Sequence, residues 1–310
     1  MRYFVVALAA LLVGCSSVQD KKSSSVEVNS AQIKNTLYYL ASDELKGRDT
    51  GSEGGMLAAK YLSNELKKYG IAPLFKSYND TITQAANAWN VVGVIPGSDK
   101  ELAKEVIVLG AHYDHIGIIE PIDGDAIANG ANDNAAGTAI ALEVARNVKL
   151  SNPKRTIVIA FFTGEEKGLW GAEHLSSRMK KEGIQVVGML NYEMLGIPMK
   201  RSYMAYLTGY DMSTMAEKIN EFAGKALVGK LDEAEKYQLF KRSDNYPFYQ
   251  VFGVPCQSFS SFDFTNSEYY HHVKDEAHLM DLEFMTSFTK EMIPVVVKIA
   301  NMPKGELRNK

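Results

Sequence analysis

Two stretches of the chain, Val106 to Ala111 and Thr156 to Phe162, stay apolar over the length of a strand instead of alternating. A strand with one wet face alternates. A continuous run suits a strand covered on both faces, as in a parallel sheet between helices. Shorter runs follow at Val186–Leu190, Tyr203–Leu207 and Val254–Phe259. Helical patterns lie between and after them: Ala-rich Asn134 to Val148, Leu169 to Met179, Met212 to Phe222 and the closing Leu282 to Ile299. Ahead of these, Ile33, Leu37 and Leu40 predict an amphipathic helix, and Met56, Ala59, Leu62 and Leu66 a second one stopped at Gly70. Trp89 to Ile95 predicts a strand turned by Pro96-Gly97. The alternation predicts an α/β protein, a three-layer αβα domain around a central, mostly parallel mixed sheet.

The first residues read differently. Phe4 to Val13 is an apolar run too short to span a bilayer, and Arg2 gives it a positive start. Leu12-Val13-Gly14-Cys15 looks like a bacterial lipobox. The expectation is a signal peptide over 1–14 and a lipoprotein of the cell envelope, anchored through Cys15. An ordinary secretory signal with a chance cysteine is the alternative. Ser16 stands where an aspartate would favour inner-membrane retention, which points to the outer membrane. Ser16 to Ser30 is too polar to bury a core and reads as a tether over 15–30. No repeat or further linker divides the rest, so 31–310 is expected to form one domain. Cys15 and Cys256 are the only cysteines; with Cys15 lipidated no internal disulfide is available, and Cys256 reads as a buried structural thiol. A formal charge of −3 gives no electrostatic footing for nucleic acid.

Acids and imidazoles cluster just past the strand-like runs, and the carboxyl ends of strands are where open α/β sheets gather their ligands. His112 follows Val106–Ala111, with Asp114 two residues on and so on the same face of an extended backbone. An imidazole there can bind zinc through one nitrogen while a carboxylate orients the other; alone, His-x-Asp is common and weak and reads first as a surface pair. Asp133 sits in a loop of small residues, Gly130-Ala131-Asn132-Asp133-Asn134-Ala135-Ala136-Gly137. Its two oxygens can bridge a cation pair, but taken by itself the loop reads first as a helix N-cap, for which Asp and Asn are favoured. Glu165 and Glu166 follow Thr156–Phe162, and adjacent carboxylates point different ways: one can ligate while the other moves a proton. Glu193 ends the next strand, and His271 lies near the chain end in Tyr270-His271-His272-Val273-Lys274-Asp275. There is no His-Glu-x-x-His, no Gly-rich phosphate loop and no Gly-x-Ser-x-Gly elbow.

This ordered series resembles the co-catalytic zinc aminopeptidases, the family that includes bacterial leucyl aminopeptidase, aminopeptidase S and glutamate carboxypeptidase. The likeness covers nearly the whole chain after the tether, from Leu45-Lys46-Gly47-Arg48 and Thr50-Gly51-Ser52 onward. It implies a zinc-exopeptidase fold of the phosphorylase/hydrolase-like kind and two zinc ions per chain. His112 and Glu193 would hold one ion, Glu166 and His271 the other, and Asp133 would bridge them. Glu165 matches the family's general base and Asp114 the residue that orients the first histidine. A cis peptide bond is implied at Asp133-Asn134. The implied reaction is removal of N-terminal residues from peptide substrates, by hydroxide held between the two zincs.

Three positions depart from the pattern. Glu193 stands where many members carry aspartate. Arg242-Ser243-Asp244-Asn245 resembles the family's Ser-Asp-His segment, with Asn245 in place of histidine, which is expected to alter substrate contacts and leave the metals untouched. His271 and His272 are adjacent, and the spacing to Asp275 fits His271 as the ligand. His115, His174 and His278 match no motif and read as surface or packing histidines. Two other functions stay open: a single-zinc glutaminyl-peptide cyclase, and a non-catalytic surface-binding lipoprotein.

Overall fold

The computed structural model describes residues 27–310. The segment read as a signal peptide, the lipobox-like run and Cys15 lie outside the described residues. In chain order come α1 (Ser30–Leu40), α2 (Glu53–Lys68), the short strands β1 (Ala72–Pro73) and β2 (Asn79–Thr81), and β3 (Trp89–Ile95). The middle of the chain gives β4 (Glu105–His112), a hairpin of β5 (Gly117–Ile122) and β6 (Asp125–Ala128), α3 (Gly137–Leu150), β7 (Thr156–Phe162), α4 (Trp170–Lys181) and β8 (Gln185–Tyr192). The last part gives β9 (Ala205–Leu207), α5 (Met215–Ala223), β10 (Val228–Gly229), α6 (Asp232–Lys236), α7 (Asn245–Phe252), β11 (Cys256–Ser260) and α8 (Leu282–Asn301).

The main sheet runs β1-β3-β7-β4-β8-β11-β9-β10, with β2 beside β3. β7, β4, β8 and β11 are parallel. β3 joins β7 antiparallel and β9 joins β11 antiparallel, so the parallel character expected from sequence belongs to the middle of a mixed sheet. The two faces of β4 explain its continuous apolar run. Ile107, Leu109 and Ala111 pack in the core shared with α1, α3 and α8, while Val106 and Val108 pack against α4 and α7. Burying one such Leu, Ile or Val contributes roughly 1.5–3 kcal/mol. α1 turns Ile33, Leu37 and Leu40 onto the first of these cores, and the Asn29 side chain caps its start.

Three expectations are corrected. The fold begins inside the segment read as tether: the Glu27 carbonyl accepts from Arg146, and the Asn29 amide donates to Glu143 at 2.8 Å. The helix after β6 starts at Gly137, because residues 131–136 form an irregular turn around Asp133. α7 was not expected from the pattern; its Pro247 is tolerated because it falls in the first turn, where a missing N–H costs nothing.

The chain leaves β4 toward β7 through α3, then crosses back over β4 to β8 through α4. Successive connections therefore diverge at β4, and a crevice opens beyond its carboxyl end. That is the switch point at which open α/β sheets bind ligands.

Candidate metal centre

Adjacent strands deliver the first side chains. His112 closes β4 in register with Phe162 of β7, so the turn after β7, carrying Glu165 and Glu166, rises beside it. Glu193 follows β8 on the other side. Asp133 comes from the turn before α3, and His271 from the loop between β11 and α8. The structure thus brings His112, Asp133, Glu166, Glu193 and His271 together, in two groups that share Asp133.

The distances decide what these groups suit. His112 Nε2 lies 3.4 Å from Asp133 Oδ1 and 3.3 Å from Glu193 Oε1. His271 Nε2 lies 3.3 Å from Asp133 Oδ2 and 3.0 Å from Glu166 Oε2. Donors on a tetrahedral zinc with bonds of ~2.0–2.1 Å are about 3.3 Å apart, so the gaps match the edges of a coordination tetrahedron. His271 Nε2 is buried between these two carboxylate oxygens, the place a metal-binding nitrogen would occupy. Asp133 turns one oxygen to each group. The nitrogen and oxygen donor set suits zinc.

Buried hydrogen bonds fix the Asp133 turn. Asp275 accepts from the Asn132 and Asp133 amides at 2.9 and 3.0 Å, which ties the His271 loop to the bridging residue. The Asn134 side chain donates to the Tyr192 carbonyl at 2.8 Å and accepts from the Met194 amide at 3.0 Å, so it grips both sides of Glu193. A Cβ on Gly137 would strike Asn134 and the Tyr192 carbonyl, which is why the loop is built of small residues. The Asp133-Asn134 bond is cis. Arg48, fully buried, donates to the carbonyls of Leu40, Tyr113, Asn129 and Gly130 and so clamps the loops after β4 and β6.

Ligand orientation differs in detail from the sequence reading. The nearest partner of His112 Nδ1 is the main-chain oxygen of Asp114 at 3.1 Å, whereas the Asp114 carboxylate is 3.7 Å away. That carboxylate accepts from Thr50 Oγ1 at 2.9 Å and from the Glu165 amide at 3.3 Å, and so braces the turn holding Glu165. Ser243 Oγ donates to Glu193 Oε2 at 2.7 Å, a role the sequence did not reveal. Asn245 is corrected. It is fully buried, donates to the Phe240 and Cys256 carbonyls and accepts from Ser258. Asn191 links Ser258 to Ser243, so Asn245 backs the support of Glu193 and is not a substrate contact.

The largest correction is His115. It is neither a surface nor a plain packing histidine: its ring is fully buried, with Nδ1 2.9 Å from Glu166 Oε1 and 3.8 Å from Asp133 Oδ2. Its place three residues past His112, beyond the strand end, was the only hint in the sequence. His174 lies 3.2 Å from Asp80, His278 is exposed, and His272 accepts from the Lys274 amide away from the centre. Cys256 is buried, which pushes its thiol pKa up.

The electrostatics follow from the crowding. Burial works against a charged His271, yet Asp133 and Glu166 hold its pKa up at about 10. Burial opposes ionisation of Asp133 as well, and His112 and His271 overcome it, holding that carboxyl well below its usual range. Glu165 goes the other way. Burial, then Glu193, Asp244 and Glu166, push it well up against the pull of His112. The carboxyl so raised stands beside the two donor groups and lines the space in front of them.

A cavity of about 490 Å³ opens over the centre, with His112, Asp133, Glu165, Glu166 and Glu193 in its lining. Leu169, Leu239, Phe262, Phe264 and Tyr270 give it an apolar wall.

Paired imidazole and carboxylate groups sharing one aspartate, with a proton-accepting glutamate beside them at the switch point of the sheet, define the class: a metal-dependent hydrolase. The model of peptidase family M28 matches residues 90–296, more than half of the chain. The chain belongs to that family and is a zinc metallopeptidase. A probable leucine aminopeptidase of Trichophyton verrucosum is 28% identical over 263 residues, spanning 81% of this chain and 67% of the relative. A probable zinc metalloprotease of Leptosphaeria maculans is 30% identical over 189 residues, 58% of this chain and 42% of the relative. The chain thus spans about two thirds of the first and less than half of the second. The LapA aminopeptidase of Legionella pneumophila shares the fold, with a TM-score of 0.71 at 22% identity, over 89% of this chain and 73% of that one.

Proposed function

We propose that the chain is an aminopeptidase that removes N-terminal residues from peptides with two zinc ions per chain. The observation that carries this reading is Asp133, whose two oxygens face two donor groups, each at the spacing of zinc ligands. His112 and Glu193 would hold one ion, Glu166 and His271 the other. Bound zinc lowers the pKa of water and polarises a carbonyl. The protein's own residues do the rest. Glu165, raised by burial and its acidic neighbours, takes the proton from the attacking water and returns it to the departing amine. Asp114 and Thr50 hold the turn that carries Glu165. The wall of Phe262, Phe264 and Tyr270 favours an apolar side chain at the residue to be released.

The test is a panel of fluorogenic aminoacyl substrates run with and without chelator, beside metal analysis. Two zincs and chelator-sensitive release, strongest for apolar residues, are expected. One zinc with cyclisation of N-terminal glutamine would replace this reading by the cyclase. Two bound zincs with no turnover of any substrate would favour a binding lipoprotein.

The lipobox-like segment supports anchoring to the envelope through Cys15, with the outer membrane favoured by Ser16. Among the described residues no helix is long and apolar enough to cross a membrane. The full chain is expected in the detergent phase on detergent partition, and Cys15→Ser in the aqueous phase. Equal partition of the two would exclude the anchor.

A further inference from the structure

The two donor groups are unequal. One holds His112, Asp133 and Glu193; the other holds His115 beside Asp133, Glu166 and His271. From the geometry we infer that His115 Nδ1 is a direct ligand, so that the second site is closed by four protein donors and takes up its ion first. This rests on the zinc reading of the centre and adds to it a ligand outside the five that the sequence pattern implies.

Three observations carry the assignment. Glu166 divides its oxygens between the two imidazoles, Oε1 at 2.9 Å from His115 Nδ1 and Oε2 at 3.0 Å from His271 Nε2. Asp133 Oδ2 lies 3.3 Å from His271 Nε2 and 3.8 Å from His115 Nδ1, so both nitrogens converge on the same pair of carboxylates. These separations scatter around the ~3.3 Å edge of a zinc tetrahedron. Finally, the His115 ring has no other polar engagement. Its Nε2 is buried without a partner, and a Cβ on Gly130 would strike the ring, so the backbone there is shaped to its fit. The two rings meet edge to face with centroids 5.5 Å apart, an ordinary aromatic pairing that keeps both imidazoles at this one site. The Nδ1–Glu166 contact is also of hydrogen-bond length, and counting the imidazoles on the ion separates a ligand from a histidine that only donates to Glu166.

The chemical consequence is a division of labour. A four-donor site is closed and resembles a structural zinc site; a site with three protein donors keeps a position open, as catalytic sites do. His115 and its three partner donors would then hold an ion that fixes Asp133 and Glu166, and the side of His112 and Glu193, which lines the cavity, would supply the open position.

The test counts imidazoles. Full-length protein stripped by chelator receives one equivalent of cobalt(II), and X-ray absorption reports the histidines on that ion. Two are expected in the wild type. In His115→Gln the count on the first ion should fall to one, with the far-ultraviolet circular dichroism of the wild type retained. A single imidazole on the first ion of the wild type overturns the inference, and that measurement needs no variant. A count that stays at two in His115→Gln overturns it as well. If the inference fails while two ions still bind and activate aminopeptidase turnover, the function proposed above stands. If no metal binds, both fall.

Discussion

Glu165 and Glu166 are neighbours in sequence with separate surroundings. Glu166 spends both oxygens on imidazoles, while Glu165 lines the cavity with its pKa pushed up by burial and nearby acids. Glu165→Gln keeps the shape and removes the carboxylate proposed as base. It should cut turnover by at least ~10²-fold, the usual worth of a positioned base, with zinc content unchanged. Near-normal turnover at full zinc would remove Glu165 from the mechanism. Adjacent acids after a buried strand made this split legible, since consecutive side chains diverge. His115 was not legible. Whether a loop histidine turns inward depends on how the chain leaves β4, and that path is set by Arg48 bonding to distant carbonyls rather than by any local period. Asn245 failed for a related reason: a motif gives a residue's neighbours in sequence but not which side of a buried hydrogen-bond chain it occupies.

At the level of elements, long apolar runs were legible and short pieces were not. β3 and β7 match their predicted bounds because continuous apolar sequence has few other ways to be buried. β1, β2 and β10 have two or three residues each and exist only because β3 or β9 offers an edge to pair with. β2 also carries a buried acid whose partners are all on other elements. Asp80 accepts from Arg178 of α4 at 2.7 Å and Asn90 of β3 at 2.9 Å, and lies 3.2 Å from His174. Burial alone would raise its pKa, but His174, Asn90 and Arg178 together lower it. A carboxyl with a depressed folded pKa stabilises the fold above its unfolded value of ~3.9, and that stabilisation disappears as pH falls through the folded value. Asp80→Asn should therefore lose about 1.5–3 kcal/mol at pH 7, the scale of hydrogen bonds to a charged group. Denaturant unfolding of both proteins in chelator should show the gap closing below about pH 4. A gap unchanged between pH 7 and pH 3 would mean that the charge on Asp80 contributes nothing.

On the scale of the whole molecule, the centre ties together segments far apart in the chain. β4, the turn before α3, the turn after β7, the end of β8 and the loop before α8 each supply donors, from His112 to His271. This convergence was readable for His112, Glu165, Glu166 and Glu193, which stand at ends that a parallel sheet places on one rim. Asp133, after the β5–β6 hairpin, and His271, well past β11, reach it by loops. The same geometry makes the metal part of the folding equilibrium. An unfolded chain cannot hold these donors at tetrahedral spacing, so each ion binds the native state far better. An ion present at a hundred times its Kd stabilises by ~2.7 kcal/mol. For a domain of this size one kcal/mol moves the Tm by ~2–4 °C, so removing one such ion should lower the Tm by about 5–10 °C. Chelator should act in two stages, the more weakly held ion leaving first with a small shift and the second with a larger one. Re-adding zinc should reverse both. A Tm indifferent to chelator, with metal analysis showing the ions gone, would mean that they had been bound somewhere other than this rim. The donor spacing would then belong to hydrogen bonds of the kind His115 makes with Glu166 at 2.9 Å.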